Sequence, residues 1–230
     1  MNRMIITELS VRDLGPIRNL YINFNTLPRQ NAIIIGENGV GKTWLLNLLA
    51  TLTGNDAATE LMVDAPVGYV FLSIKIGDKF LKFEAHGKLL RQDIESFKKK
   101  LGEHRSNYGI TERNEIIFRH GCCDYVTFQR MFRDFCLYGS ISSNFFSPFE
   151  RDGFYSISVG DGSRRAILLM LLASMGNGPL LLDEPSSHLH IVSMRRMARI
   201  LHHSNRQVIL VTHAPEFIYR EECVFSVERT

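Results

Sequence analysis

Alternating apolar and polar positions predict two pairs of antiparallel strands in this chain. MIITELSV (4–11) and LYINF (20–24) form the first pair, separated by the turn LGPIRN. GYVFLSIKI (68–76) and KFLKFEAH (79–86) form the second pair, joined by the dipeptide Gly-Asp. A Gly-Asp turn between two alternating runs is typical of a β-hairpin. The pattern therefore predicts an antiparallel β subdomain.

Continuous apolar runs predict a second set of strands, buried on both faces. NAIIIG (31–36), PLLLD (179–183) and QVILV (207–211) are runs of this kind. Such runs are typical of parallel strands that are covered by helices. Helical spacing follows in KTWLLNLLATLT and recurs in the basic segment SMRRMARILHH, and ECVFSVER predicts a last strand. The pattern predicts an α/β fold.

Composition limits the class of protein. The chain is 45% apolar and 22% charged with a net charge of +3, which fits a globular protein with one sizeable core. The longest apolar run, AILLMLLA, is far shorter than the roughly 20 residues of a membrane span. The N-terminal segment lacks the pattern of a signal peptide. The sequence contains no C-x-x-C pair, so it gives no indication of a zinc or redox site. We expect a cytoplasmic protein with no membrane partner.

GENGVGKT (36–43) matches the phosphate-binding pattern G-x-x-x-x-G-K-[ST]. Glycines let successive backbone N–H groups face the phosphates, and the helix that begins here adds its positive N-terminal end. Lys42 would reach the β and γ phosphates, and the Thr43 hydroxyl would ligate Mg²⁺. The predicted ATP-binding residues are Gly36, Glu37, Asn38, Gly39, Val40, Gly41, Lys42, Thr43 and Trp44.

Two further strands end in polar residues that suit the same site. Asp183 and Glu184 follow PLLL, where two carboxylates together are costly unless a cation offsets one. We predict Asp183 as a second Mg²⁺ ligand and Glu184 as the base that activates water. Thr212 and His213 follow QVILV, and the imidazole there can hydrogen-bond a γ-phosphate.

The order of these motifs resembles that of ABC-type ATPases. DEPSSHLH (183–190) and THAPEFI (212–218) are similar to segments of the OLD-like and SMC/Rad50-like branch, as is GPIRNLYINF near the start. The likeness covers about residues 1–55 and 156–220. It implies one P-loop ATPase domain over 1–230, with a mixed sheet, an antiparallel β subdomain and a helical lobe. The core would comprise about 1–87 and 156–230, and the lobe about 88–155.

The resemblance also implies roles for individual residues. Lys42, Glu184 and His213 would be catalytic, and Thr43 and Asp183 would hold Mg²⁺. Such ATPases pair head to tail, so a signature loop would reach ATP from the partner copy. That loop would contain Ser158, Gly160, Asp161, Gly162 and Ser163, and the D-loop would contain Ser187 and His188. Gln129 is the candidate Q-loop glutamine near the metal.

Two departures from the family pattern bear on function. The loop reads SVGDGS rather than L-S-G-G-E/Q, which leaves Ser158 and Ser163 both open as the active serine. His190 stands where transporter ATPases have an aspartate, which disfavours a transporter subunit. We also expect the ATPase part alone, because the 17 residues after His213 cannot hold the nuclease domain of full-length OLD proteins.

Three functions remain in view. The favoured one is an ATPase that dimerises around ATP and gates an effector or nuclease in DNA metabolism or phage defence. The alternatives are the nucleotide-binding subunit of an ABC transporter, and a module that holds ATP as a structural clamp. DNA is a further candidate partner, since Lys98–Lys100 and the arginines at 195, 196, 199 and 206 form basic runs, although a solvated surface explains them more simply.

Overall fold

The computed structural model describes residues 3–107, 117–118, 169–170, 173, 178–186 and 189–227. Nine strands and four α-helices have their full ranges among these residues. They are β1 (Met4–Leu14), β2 (Ile17–Asn23), β3 (Ala32–Ile35), α1 (Lys42–Leu52), α2 (Asp56–Met62), β4 (Pro66–Ile76), β5 (Lys79–Lys88), α3 (Arg91–Asn107), β6 (Ile117–Phe118), β7 (Leu180–Asp183), α4 (Ile191–His202), β8 (Val208–Val211) and β9 (Val224–Ser226). The predicted strands are found among them, as are the helices predicted for KTWLLNLLATLT and SMRRMARILHH.

The two predicted strand pairs form one antiparallel sheet in the order β2-β1-β4-β5. The β1–β2 turn is shorter than expected, because Leu14 already pairs with Ile17. Gly15 makes this tight reversal at φ +54°, a conformation that glycine adopts without steric cost. The shorter turn places Gly15 and Pro16 at a fixed point beside the first helix.

The second sheet is parallel and has the order β6-β7-β8-β3-β9. Successive residues of its strands enter different cores: Ile34 packs with the antiparallel sheet, whereas Ile33 packs with α4. Burial on both faces explains the continuous apolar runs. Because parallel strands share one direction, the carboxyl ends of β3, β7 and β8 lie at the same edge. The α/β fold class with an antiparallel β subdomain is confirmed.

Helix α1 lies between the two sheets and is apolar on nearly all sides. Leu45, Leu46, Leu48, Leu49 and Leu52 are all fully buried. A helix without a polar face is typical of a position inside the core. Its first residue, Lys42, directly follows the phosphate-binding loop, so the same helix fixes the core and the site.

Gln207 links the two sheets. Its side-chain oxygen accepts from Ile6 N at 2.8 Å, and its amide nitrogen donates to Ile6 O at 2.8 Å and to Gln30 O at 2.9 Å. The residue is 4% exposed. β1 lacks a β2 partner at Ile6, since the pairing of these strands ends at Glu8 and Asn23. The amide of Gln207 therefore replaces a neighbouring strand there.

Helix α3 belongs by sequence to the predicted lobe of residues 88–155, most of which lies outside the described residues. Ile94, Phe97 and Leu101 of α3 are buried in the core of the antiparallel sheet. Lys98 forms ion pairs with Asp56 and with Glu95. Lys98 is thus neutralised within the fold, which removes it from the predicted basic surface run.

The basic segment forms α4, with Met197, Ala198 and Leu201 buried and Arg195, Arg196 and Arg199 exposed. Arg206 does not belong to this surface. It is 4% exposed and donates from Nε to Gly178 O at 2.8 Å and from Nη2 to Pro179 O at 3.0 Å. The expectation of a surface arginine at 206 was wrong. The guanidinium of Arg206 instead donates to the buried carbonyl groups of the two residues that directly precede β7 in sequence.

Candidate functional site

The loop after β3 has the close backbone packing that a phosphate site needs. A Cβ at Gly36 would lie 2.5 Å from Val227 O, and one at Gly41 would lie 2.8 Å from Ile17 Cγ1. Gly39 and Gly41 also have positive φ angles of +84° and +97°. Residues with side chains would therefore distort the loop at its two ends. The loop leads directly into the N-terminus of α1, where free N–H groups favour anions.

Lys42 is folded back over this loop. Its ammonium group donates to Gly36 O at 2.7 Å and to Glu37 O at 2.9 Å, and the residue is only 7% exposed. A buried cation needs such partners. Both acceptors are neutral carbonyls, and no ion pair between Lys42 and a carboxylate is found in the part of the chain that the structure describes. An anionic ligand is the partner that this charge favours.

Thr43 of α1 and Asp183 at the end of β7 are joined by a side-chain hydrogen bond. The Thr43 hydroxyl donates to Asp183 Oδ2 at 3.0 Å, which joins the first turn of α1 to the end of β7. Asp183 is 8% exposed. A hydroxyl and a carboxylate at this spacing form part of the oxygen ligand set that Mg²⁺ prefers, with phosphate oxygens and water completing it. No group of three or more His, Cys, Asp and Glu side chains occurs within the described ranges, so no metal cage formed by protein alone is present there.

Glu184 stands next to Asp183 in an unusual backbone conformation. Its φ angle is +47°, a region that non-glycine residues occupy at a cost. Groups at the end of β8 contact its carboxylate: Thr212 Oγ1 and His213 N donate to Oε2 at 3.2 and 3.3 Å, and His213 Nδ1 lies 2.9 Å from Oε1. The strained turn directs Glu184 away from Asp183 and toward the end of β8.

His213 is the exposed member of this group. Its side chain is 65% exposed, whereas that of Glu184 is 14% exposed. Thr212 supports the arrangement from below, since its N–H donates to Ile34 O at 3.1 Å and its hydroxyl accepts from Ala214 N at 3.0 Å. Three neighbouring parallel strands thus place the P-loop, the acidic pair and the Thr-His pair at one edge.

A cleft of about 230 Å³ opens between these groups. Lys42, Thr43, Asp183 and Glu184 line it together with Pro16 and Trp44. Pro16 was not expected at the site. The sequence marks Gly15-Pro16 only as a turn, and their place in the cleft depends on the position of the antiparallel sheet beside α1.

Several predicted site residues lie outside the described residues. These are Gln129, Ser158, Gly160, Asp161, Gly162, Ser163, Ser187 and His188. The Q-loop, signature and D-loop assignments therefore stay predictions. The described site comprises the P-loop, the acidic pair and the Thr-His pair.

Solved structures show which class of protein has this fold. An SmcHead bound to the C-winged helix domain of ScpA superposes with a TM-score of 0.58 at 12% identity, covering 96% of this chain and 93% of that chain. An Smc head from Pyrococcus furiosus gives 0.53 at 10% identity, covering 99% and 94%. A nucleotide-free cassette of an ABC transporter gives 0.50 at 10% identity, covering 100% and 88%. The fold is that of the P-loop ATPase domains of SMC heads and ABC proteins.

A family model places the chain more narrowly. The model described as "AAA domain, putative AbiEii toxin, Type IV TA system" matches residues 81–218, which is more than half of the chain, and the chain belongs to this family. A search of curated proteins found no match. No described helix is both long and apolar enough to cross a bilayer. Membership of the OLD-like branch within this class stays a prediction.

Proposed function

We propose that this chain is a Mg²⁺-dependent ATPase that binds ATP in the cleft between the P-loop and the acidic pair. The observation that carries the proposal is the convergence of Lys42, Thr43, Asp183 and Glu184 on one cleft. They come from α1 and from the end of β7, more than 130 positions apart in sequence. Such a set of cation, hydroxyl and two carboxylates matches what phosphoryl transfer requires.

The binding half of this site is built from the loop, Lys42 and the Thr43–Asp183 pair. Backbone N–H groups at the start of α1 and the Lys42 ammonium would bind the phosphates in place of Gly36 O and Glu37 O. Thr43 Oγ1 and Asp183 Oδ2 would hold Mg²⁺ between them. When bound, this ion neutralises charge on the phosphates.

The hydrolytic half consists of Glu184 and His213. Glu184 would accept a proton from the attacking water, as a general base does. Thr212 Oγ1, His213 N and His213 Nδ1 fix its carboxylate in one orientation. Because the imidazole is largely exposed, His213 can turn from Glu184 toward the γ-phosphate when ATP binds. His213 would thus position both the base and the substrate.

We further propose that two copies pair head to tail around ATP and that this motion gates a partner protein in the cytoplasm. The predicted signature loop at 158–163 would complete the site of the other copy. Two of the similar structures hold ScpA domains, and the family description names a toxin–antitoxin system. Both support a protein partner, for which an effector or nuclease is our proposal. A role in phage defence or DNA repair rests on analogy.

The transporter alternative is favoured by one observation, the likeness to a transporter cassette. At 10% identity that likeness shows only the shared fold. Co-purification of the native protein with a membrane subunit would favour the transporter over the gated effector.

The test uses two variants that separate binding from hydrolysis. Lys42→Ala removes the cation at the loop, so we expect Mg-ATP affinity to fall by about a hundredfold or more. Glu184→Gln keeps the size of the side chain but not the base. We expect it to bind Mg-ATP within about threefold of the native affinity, with turnover reduced by at least about a hundredfold. Affinity is measured by calorimetry and turnover by phosphate release.

Native turnover in Glu184→Gln would remove Glu184 from the role of base. If the native protein bound no nucleotide, the proposed function would fail as a whole. Glu216→Gln is a matched control, because it makes the same substitution at a glutamate that follows β8 and does not line the cleft. It should have native affinity and native turnover.

A further inference from the structure

The chain has one tryptophan, Trp44, and it stands in the wall of the cleft. It lies in the first turn of α1, directly after Thr43. It is 39% exposed, whereas the leucines that follow it in α1 are fully buried. A large aromatic ring that is left open beside a charged loop is unusual for a core residue.

The indole ring lies flat against the β1–β2 turn. A Cβ placed on Gly15 would be 3.1 Å from Trp44 Cδ2, 3.3 Å from Cε2 and 3.4 Å from Cε3. Cδ2 is bonded to both other atoms, so these nearly equal distances mean that the turn meets the face of the ring rather than its edge. One face of Trp44 is thus supported by Gly15, and the ring is held in one orientation.

Trp44 and Pro16 line the cleft together with Lys42, Thr43, Asp183 and Glu184, which supply its charged and polar groups. The lining therefore combines polar groups that suit phosphates with a flat aromatic ring and a proline. A nucleotide has the same two parts, a charged phosphate chain and a flat base.

We propose that Trp44 is the platform on which the base of the bound nucleotide stacks, with Gly15 as its support. This inference rests on the proposed function, because it assigns the base end of the same site. Stacking on an aromatic face is favourable for any base, since every base has a π face. The site should therefore select nucleotides over bare phosphate chains, and distinguish ATP from GTP by no more than about threefold.

The decisive experiment compares Mg-ATP with Mg-tripolyphosphate, which has the phosphate chain but no base. Dissociation constants are measured by calorimetry for the native protein, Trp44→Ala and Trp44→Phe. The native protein should bind ATP at least about tenfold more tightly than tripolyphosphate. Trp44→Ala should lose about tenfold in ATP affinity and keep its tripolyphosphate affinity. Trp44→Phe retains an aromatic face and should stay within about threefold of native for both ligands.

Three results would overturn the inference while leaving the ATPase proposal intact. Trp44→Ala could weaken both ligands equally, which would make the ring only a support for the loop. It could leave ATP affinity unchanged, or the native protein could bind both ligands equally well. If the native protein bound neither ligand, the proposed function itself would fail. Binding of tripolyphosphate by Trp44→Ala also shows that the variant is folded at the loop.

Two controls sharpen the result. Tyr21→Ala removes an aromatic ring that is 55% exposed on β2 and does not line the cleft, so it should bind both ligands as the native protein does. Gly15→Ala adds a methyl group at the supported face of the ring, where three ring atoms lie within 3.4 Å. It should displace Trp44 and lower ATP affinity by more than tripolyphosphate affinity. An equal loss for both ligands in Gly15→Ala would contradict the support role of the turn.

Discussion

Gly41 shows how one residue fixes the shape of the phosphate loop. Its φ angle is +97°, and a Cβ there would lie 2.8 Å from Ile17 Cγ1. Gly41→Ala therefore combines backbone strain with a clash against a buried side chain. We expect it to lower the free energy of unfolding by about 2–4 kcal/mol, measured by urea denaturation.

Gly39 is the matched control for this effect. Its φ angle is +84°, but a Cβ there would meet no atom within 4 Å. Gly39→Ala should cost only the backbone strain, about 1–2 kcal/mol. Equal losses in the two variants would show that packing against Ile17 contributes nothing at Gly41.

At this scale the sequence predicted side chains that line the cleft, but not how they are held. The spacing of the P-loop pattern singled out Lys42 and Thr43, and the end of an apolar run singled out Asp183. The positive φ of Glu184 and its contact with His213 Nδ1 were not predictable. Both depend on the distance between the C-terminal ends of β7 and β8 in the folded sheet. The aromatic wall at Trp44 likewise depends on a turn about thirty positions earlier in the chain.

Among the elements, the C-terminal end of α4 contains a histidine that resists protonation. Burial lowers the pKa of His202 below its ordinary 6.5, and the nearby His203, Arg220 and Arg29 lower it further. Glu222 acts in the opposite direction. The His202 ring also packs on Tyr219 with centroids 4.9 Å apart. The helix end is therefore most stable while His202 is neutral.

This shift makes the stability of the fold depend on pH. The folded pKa of His202 lies below the unfolded value of 6.5, so the unfolded chain binds more protons between the two. The contribution of His202 is complete above 6.5 and is lost as pH falls through the lower, folded pKa. We expect the urea midpoint to fall between about pH 7.5 and about pH 5.5, and to fall less in His202→Phe.

An unchanged pH dependence in His202→Phe would assign the acid sensitivity to other groups.

The elements themselves were largely predictable. Period-two alternation and the Gly-Asp turn indicated the antiparallel sheet, and continuous apolar runs indicated the parallel strands, because burial on one face or both leaves those patterns. Side-chain bridges between elements were not predictable. Arg206 counted as a surface charge in the sequence, whereas in the fold it donates to two buried carbonyls. Gln207 gave no indication that it would complete the hydrogen bonds of β1.

For the whole molecule, the described cleft would supply one half of the site that the resemblance implies. In the proposed mechanism, phosphate, metal and base contacts would come from one chain, while the predicted signature loop would act on the partner copy. A dimer that forms only around ATP would couple nucleotide turnover to a large motion. This coupling makes the oligomeric state a direct measure of the proposed mechanism.

Glu184→Gln should therefore change its mass when ATP is added. Without hydrolysis the ATP-bound dimer would persist, so we expect light scattering to show the mass doubling from 26.3 kDa with Mg-ATP. Lys42→Ala should remain a monomer, because it lacks bound nucleotide. Glu184→Gln combined with Gly162→Arg should bind ATP but stay a monomer, since the bulky cation would fill the signature loop. If Glu184→Gln bound ATP but kept the mass of a monomer, the pairing of this chain with itself would be contradicted. If the mass still doubled in the double variant with Gly162→Arg, the assignment of the signature loop would be contradicted.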